Sequence, residues 1–91
     1  MAGLAEQQAL LDEARSALAR GDDGAALRAV ELHARRFPDS VMIEEREALA
    51  IKALVGKEKF SEARSRGERF RARFPRSLLL SSLEETLATI P

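Results

Sequence analysis

The hexapeptide Arg35-Arg36-Phe37-Pro38-Asp39-Ser40 recurs as Ala72-Arg73-Phe74-Pro75-Arg76-Ser77, so one structural unit is used twice, 37 residues apart from Phe37 to Phe74. Each copy reads as a helix-to-helix joint. Phe anchors the outgoing helix, Pro forbids its continuation, and Ser two residues later caps the next one. Joints of this kind imply stacked helical hairpins.

The bulk numbers agree with a small all-α domain. At 91 residues and 10.0 kDa the chain is long enough to bury roughly two-thirds of its unfolded surface. Apolar residues make up 45% and charged residues 33%, which excludes both a disordered tail and a membrane span; no direct membrane insertion is expected. Fifteen basic residues balance fifteen acidic ones, which argues against nucleic acid or anionic lipid as the main partner. Cysteine is absent, so disulfides and thiolate sites are excluded. The N-terminus Met1-Ala2-Gly3-Leu4-Ala5-Glu6 lacks the basic start and apolar segment of a secretory signal. As written, the chain is expected in the cytoplasm; as a domain cut from a longer chain, it is expected in the periplasm or cell envelope.

Periodicity predicts five helices. Leu4, Leu11, Ala14 and Leu18 mark the first, which Gly21-Asp22-Asp23-Gly24 ends, with a left-handed glycine and a capping Asp. Ala26, Val30, His33 and Phe37 line the second. The third runs from Ser40 to about Val55, with Glu44 and Glu45 in its first turn where the helix dipole favours acids. Its apolar residues surround much of its circumference, which makes it the central element. Gly56-Lys57-Glu58-Lys59 is the next turn, two residues longer than the first when counted from the glycines. Phe60, Ala63, Gly67, Phe70 and Phe74 then line the fourth helix. Gly67 on that stripe predicts a helix crossing too close for a Cβ. Leu79, Leu80, Leu83, Leu87 and Ile90 define a terminal helix over about 77–90, while Leu78 lies off that line.

Aligning the joints pairs Ala26 with Ala63, Val30 with Gly67, His33 with Phe70 and Phe37 with Phe74, so the buried stripe repeats along with the turn. Phe37 and Phe74 are expected to be equivalent core anchors. The pattern Gly21, Ala26, Pro38, then Gly56, Phe60, Ala63, Pro75 resembles the tetratricopeptide repeat, a helix-turn-helix unit of about 34 residues. The Phe-Pro-x-Ser ending is similar to the branch found in bacterial cell-envelope proteins. The resemblance covers nearly the whole chain: one repeat over about 4–38, a second over about 40–75, and the terminal helix. It implies a short right-handed α-solenoid of two hairpins plus a C-terminal helix.

No constellation points to catalysis, so no enzyme activity, cofactor or metal is expected. His33 is the only imidazole and has no second ligand at i+3 or i+4, so it reads as a partly buried packing residue. Glu44, Glu45 and Glu47 lie with Arg46 on a first turn, where dipole and solubility account for them. Arg66, Arg69 and Arg73 share one face of the fourth helix; without interleaved aromatics for stacking, that face reads as solvated and paired with acids nearby. The expected function is therefore a protein-protein interaction module, a scaffold or adaptor, whose partner is another protein or a peptide. The resemblance places the first and third helices along a concave groove and nominates Gln7, Asp12, Glu13, Glu44, Glu47 and Lys52 to read that partner. The alternative is self-association, or docking within a larger bacterial envelope protein, through the C-terminal helix, with Leu78 as the contact that separates the two readings.

Overall fold

A computed structural model describes residues 3–91, and the described residues form five α-helices with no strand: α1 (Leu4–Ala19), α2 (Asp23–Arg36), α3 (Ile43–Gly56), α4 (Phe60–Arg73) and α5 (Leu80–Ala88). Each helix packs on the next in sequence, and α3 additionally touches α1 and α5. It is the one helix in contact with all four others. Its run Ala48-Leu49-Ala50-Ile51 and the pair Ala53-Leu54 are buried, which only a helix surrounded on several sides permits. α1, α3 and α5 form one row with α3 in the middle; α2 packs on α1 and α3, α4 packs on α3 and α5, and α2 and α4 make no contact with each other. One core joins α1, α2 and α3 through Leu11, Ala14, Val30 and Leu54; a second joins α3, α4 and α5 through Ala48, Ile51, Phe70 and Leu83. No described helix is long and apolar enough to cross a membrane.

The 37-residue register governs the backbone as well as the side chains. After α1, the amides of Gly21 and Asp22 bond the carbonyls of Leu18 and Ala17; after α3, those of Glu58 and Lys59 bond Val55 and Leu54. Gly21 takes the left-handed conformation at φ 78°, and Glu58 takes the same place at φ 60°. The two turns are thus the same length, contrary to the count from the glycines. Gly56 is the last residue of α3 rather than the turn glycine, and a Cβ there would collide with the Asp23 carboxylate at the start of α2. Glu58 carries a side chain into a conformation that costs it roughly 1 kcal/mol. Asp22 caps α2 as expected, accepting from the Ala25 amide at 3.0 Å.

The serines act differently from simple caps. Ser40 Oγ accepts from the Met42 amide at 2.9 Å, and Ser77 Oγ accepts from the Leu79 amide at 3.0 Å. Each closes a short turn, so α3 begins at Ile43 and α5 at Leu80, three residues beyond the serine. Each hydroxyl also ties its joint to the preceding row helix: Ser40 donates to the Gln7 side chain and Ser77 to Glu44 Oε2 at 2.5 Å. Gln7 and Glu44 are themselves one register apart, so α5 enters the fold as α3 does, as the opening helix of a third unit.

Two expectations about the core need correction. Phe37 and Phe74 are half-buried at the joints, whereas Phe70, one turn earlier, is 2% exposed and is the aromatic that fills the second core. The fall of φ to −125° at Phe74 ends α4 and carries that ring outward from the stripe, where the Arg73 guanidinium sits 5.2 Å from its centre. The leucines of α5 also turn inward. Leu83 is 1% exposed, and Leu79, Leu80 and Leu87 pack partly buried against the cores. Its outer face carries Ser81, Glu84, Glu85 and Ala88, all exposed, a polar end for the row. Among the described residues three large apolar ones remain exposed, Leu4, Val41 and Leu78, and they stand at equivalent positions of the three units.

Candidate interaction surface

The row α1, α3, α5 presents a cavity of about 440 Å³ lined by Arg15, Leu18, Ala19, Glu45, Ala48, Leu49, Lys52 and Leu79. Its floor is aliphatic. Its rim is charged: Arg15 bridges α1 to α3 by pairing with Glu45 and holds Asp12 at 2.6 Å, while Lys52 forms no ion pair among the described residues. An apolar trough edged by a few convergent polar groups is the usual form of a binding groove.

The residues nominated from sequence separate on this geometry. Lys52 lies in the groove, and Asp12 lies beside it, paired with Arg15 and lining a smaller cavity with Gln8, Leu11 and Met42. Glu13 is exposed but lines none of these cavities. Gln7 is buried at 5% exposure with its amide oxygen occupied by Ser40, and Glu44 is half-buried against Ser77, so both hold joints together rather than reading a partner. Glu47 is committed to arginines, 3.2 Å from Arg66 Nε and 3.6 Å from Arg46 Nε. Leu78 is 97% exposed. Sequence reasoning missed Arg15, Leu18, Glu45, Leu49 and Leu79, because residues on a helix shared between a core and a groove keep the same periodicity.

Behind the row, the first joint encloses a polar pair. His33 is wholly buried, more than its expected partial burial, and stacks at a tilt on Phe37 with ring centres 5.7 Å apart. Arg46 is 8% exposed; its guanidinium reaches His33 Nδ1 at 3.3 Å and donates to the Phe37 carbonyl at 3.2 Å. Since Arg46 can only donate, Nδ1 must accept and the ring proton sits on Nε2, which is buried and without a partner. The signal for this pair was available: 37 residues on, the same positions are Phe70 and Leu83, an apolar contact in the second core. Burial and then the Arg46 charge push the His33 pKa below 6.5. The unfolded chain therefore takes up the proton first as pH falls, so stability is full above about 6.5 and is lost as pH drops toward the folded pKa. Urea melts between pH 7.5 and 5 should show this loss at up to about 1.4 kcal/mol per pH unit, and His33→Gln, which keeps an acceptor for Arg46 but does not titrate, should flatten it. An unchanged slope in His33→Gln would assign the pH dependence to carboxylates.

The arginines of α4 surround a second cleft. Arg66, Arg69 and Arg73 line a cavity of about 360 Å³ with Arg46, Glu47, Phe70 and Phe74. Arg66 pairs with Glu47 on α3, as expected of acids nearby; Arg69 bonds only Ser65 Oγ, at 2.8 Å. Comparison of the chain with protein-family models, curated proteins and solved structures found no match.

Proposed function

We propose that this chain is a protein-protein interaction module, a tetratricopeptide-like solenoid that holds an apolar segment of a partner protein in the groove of α1, α3 and the start of α5. The observation that carries the reading is the groove itself: Leu18, Leu49 and Leu79, from three successive row helices or their joints, share one trough with an uncommitted ammonium, Lys52, at its edge. Leu49 belongs to the first core and Leu18 and Leu79 pack against the two cores, and in the trough the three also form one continuous apolar floor. The partner segment that fits presents aliphatic side chains and one carboxylate for Lys52.

Peptides selected for binding to the wild-type protein from a random display library test this. Leu18→Glu and Lys52→Glu should each weaken the selected peptides at least about tenfold, since one places a charge against apolar contacts and the other inverts the rim. Lys52→Glu should keep the wild-type melting temperature, whereas Leu18→Glu should lower it modestly because Leu18 also packs against the first core, so Lys52→Glu carries the test if Leu18→Glu fails to fold. Peptides that bind all three proteins equally would remove the groove as the working surface.

Self-association, or docking within a larger envelope protein, is the second reading, and the exposed series Leu4, Val41, Leu78 is what favours it. The inward turn of Leu83 and Leu87 moves such a contact from the α5 face to the joints. Sedimentation of the same wild-type sample as a monomer over a hundredfold concentration range would end the self-association reading.

A further inference from the structure

We infer that the cleft between α3 and α4 is a second recognition site, for an acidic side chain flanked by an apolar one on a protein partner. The inference rests on the protein-interaction reading above. Four guanidinium groups, those of Arg46, Arg66, Arg69 and Arg73, line the cavity against the single carboxylate of Glu47, in a chain whose charges balance overall. That carboxylate is shared between Arg66 and Arg46. Arg69 and Arg73 have no acidic partner among the described residues. Arg46 is more than nine-tenths buried and its Nε has no hydrogen bond. Its nearest acceptor, Glu47 Oε2 at 3.6 Å, is beyond hydrogen-bond length, and an acceptor brought by a ligand would complete the missing bond.

The fold does not ask for these arginines. One register earlier, the positions of Arg46, Glu47, Arg66 and Arg69 are the uncharged Ala9, Leu10, Ala29 and Leu32, of which Leu10 and Ala29 are buried and Ala9 is exposed; only Arg73 has a basic counterpart, Arg36. The second copy has thus exchanged an apolar seam for a basic cleft of about 360 Å³ while keeping the same backbone hydrogen bonds. Guanidinium forks match a planar carboxylate through paired, charge-assisted hydrogen bonds. Phe70 and Phe74, tilted on each other with centres 5.1 Å apart, supply the apolar wall beside them. Together they select an acid next to an aliphatic or aromatic residue.

The probe is a peptide of alternating glutamate and leucine, titrated into isotope-labelled protein with its glutamine analogue in parallel. The glutamate peptide should shift the Arg66, Arg69 and Arg73 side-chain N–H signals and the Phe74 ring, and the glutamine peptide should not. Arg69→Glu/Arg73→Glu should weaken binding at least about tenfold without lowering the melting temperature, because both side chains are exposed; Arg69→Lys/Arg73→Lys, which keeps charge and loses the fork, should fall between. Equal binding of both peptides, or of the double variant and wild type, overturns the site. Binding of duplex DNA or inorganic phosphate at equal strength overturns its assignment to a peptide. Shifts confined to Leu18, Leu49 and Lys52 would end this inference and leave the groove reading standing; shifts confined to the cleft would do the reverse.

Discussion

Phe70→Ala should cost about 3 to 5 kcal/mol, the range for truncating a fully buried aromatic, and should lower the urea midpoint sharply. A domain of this length has roughly 5 to 14 kcal/mol in total, so one such cavity removes a large share. Phe70 is where the second core is thinnest in alternatives: Ala48 and Ile51 from α3 and Leu83 from α5 meet on its ring, and α5 has no helix behind it to close the gap. Phe74→Ala should cost less, about 1 to 2 kcal/mol, since its ring is half exposed and part of its contact is with the Arg73 guanidinium. Urea denaturation of both variants measures the difference. Equal losses would show that the joint phenylalanine is as deep an anchor as the one on the stripe.

Helix count, helix order and the centrality of α3 were legible in the sequence because they depend on apolar spacing and on Pro38 and Pro75, which act locally. The turn after α3 was not, because Gly56 advertises a left-handed stop and the stop is made by Glu58 instead. What accounts for a glycine at that position is the Asp23 carboxylate of a neighbouring helix, which a Cβ would meet, a tertiary contact that no local pattern contains. The buried Arg46 was hidden in the same way. Among Glu44, Glu45 and Glu47 it reads as part of a solvated acidic turn, yet it lies under His33 and the Phe37 carbonyl. Extending the repeat alignment beyond the joints would have exposed it, since Arg46 falls on Leu83, and a charged residue that replaces a core leucine must be buried with partners. Of the nominated site residues, Lys52 and Asp12 fall at the groove because polar residues on a row helix reach its rim. Gln7 and Glu44 do not, because the joint serines claim them.

The same register makes the sharpest test of how the two hairpins are related. At Gly67 a Cβ would lie 2.6 Å from Leu87 Cδ1, so α5 delivers a leucine into the space that glycine leaves on α4. In the first unit the corresponding residues are Val30 on α2 and Ala50 on α3, both buried in the first core. Large and small have changed sides between the copies while the combined volume at the crossing is nearly kept. Gly67→Val should therefore destabilise by about 1 to 3 kcal/mol despite the better helix propensity of valine over glycine, because the new side chain meets Leu87. Leu87→Ala alone should cost about 2 kcal/mol, the lower end for a leucine because the site is only partly buried. The double variant Gly67→Val/Leu87→Ala rebuilds the Val30/Ala50 pair in the second unit and should recover most of both losses, giving a coupling energy of at least about 1.5 kcal/mol in a double-mutant cycle. Simple additivity of the two single losses would mean that the helices at this crossing do not share the backbone geometry of the first unit.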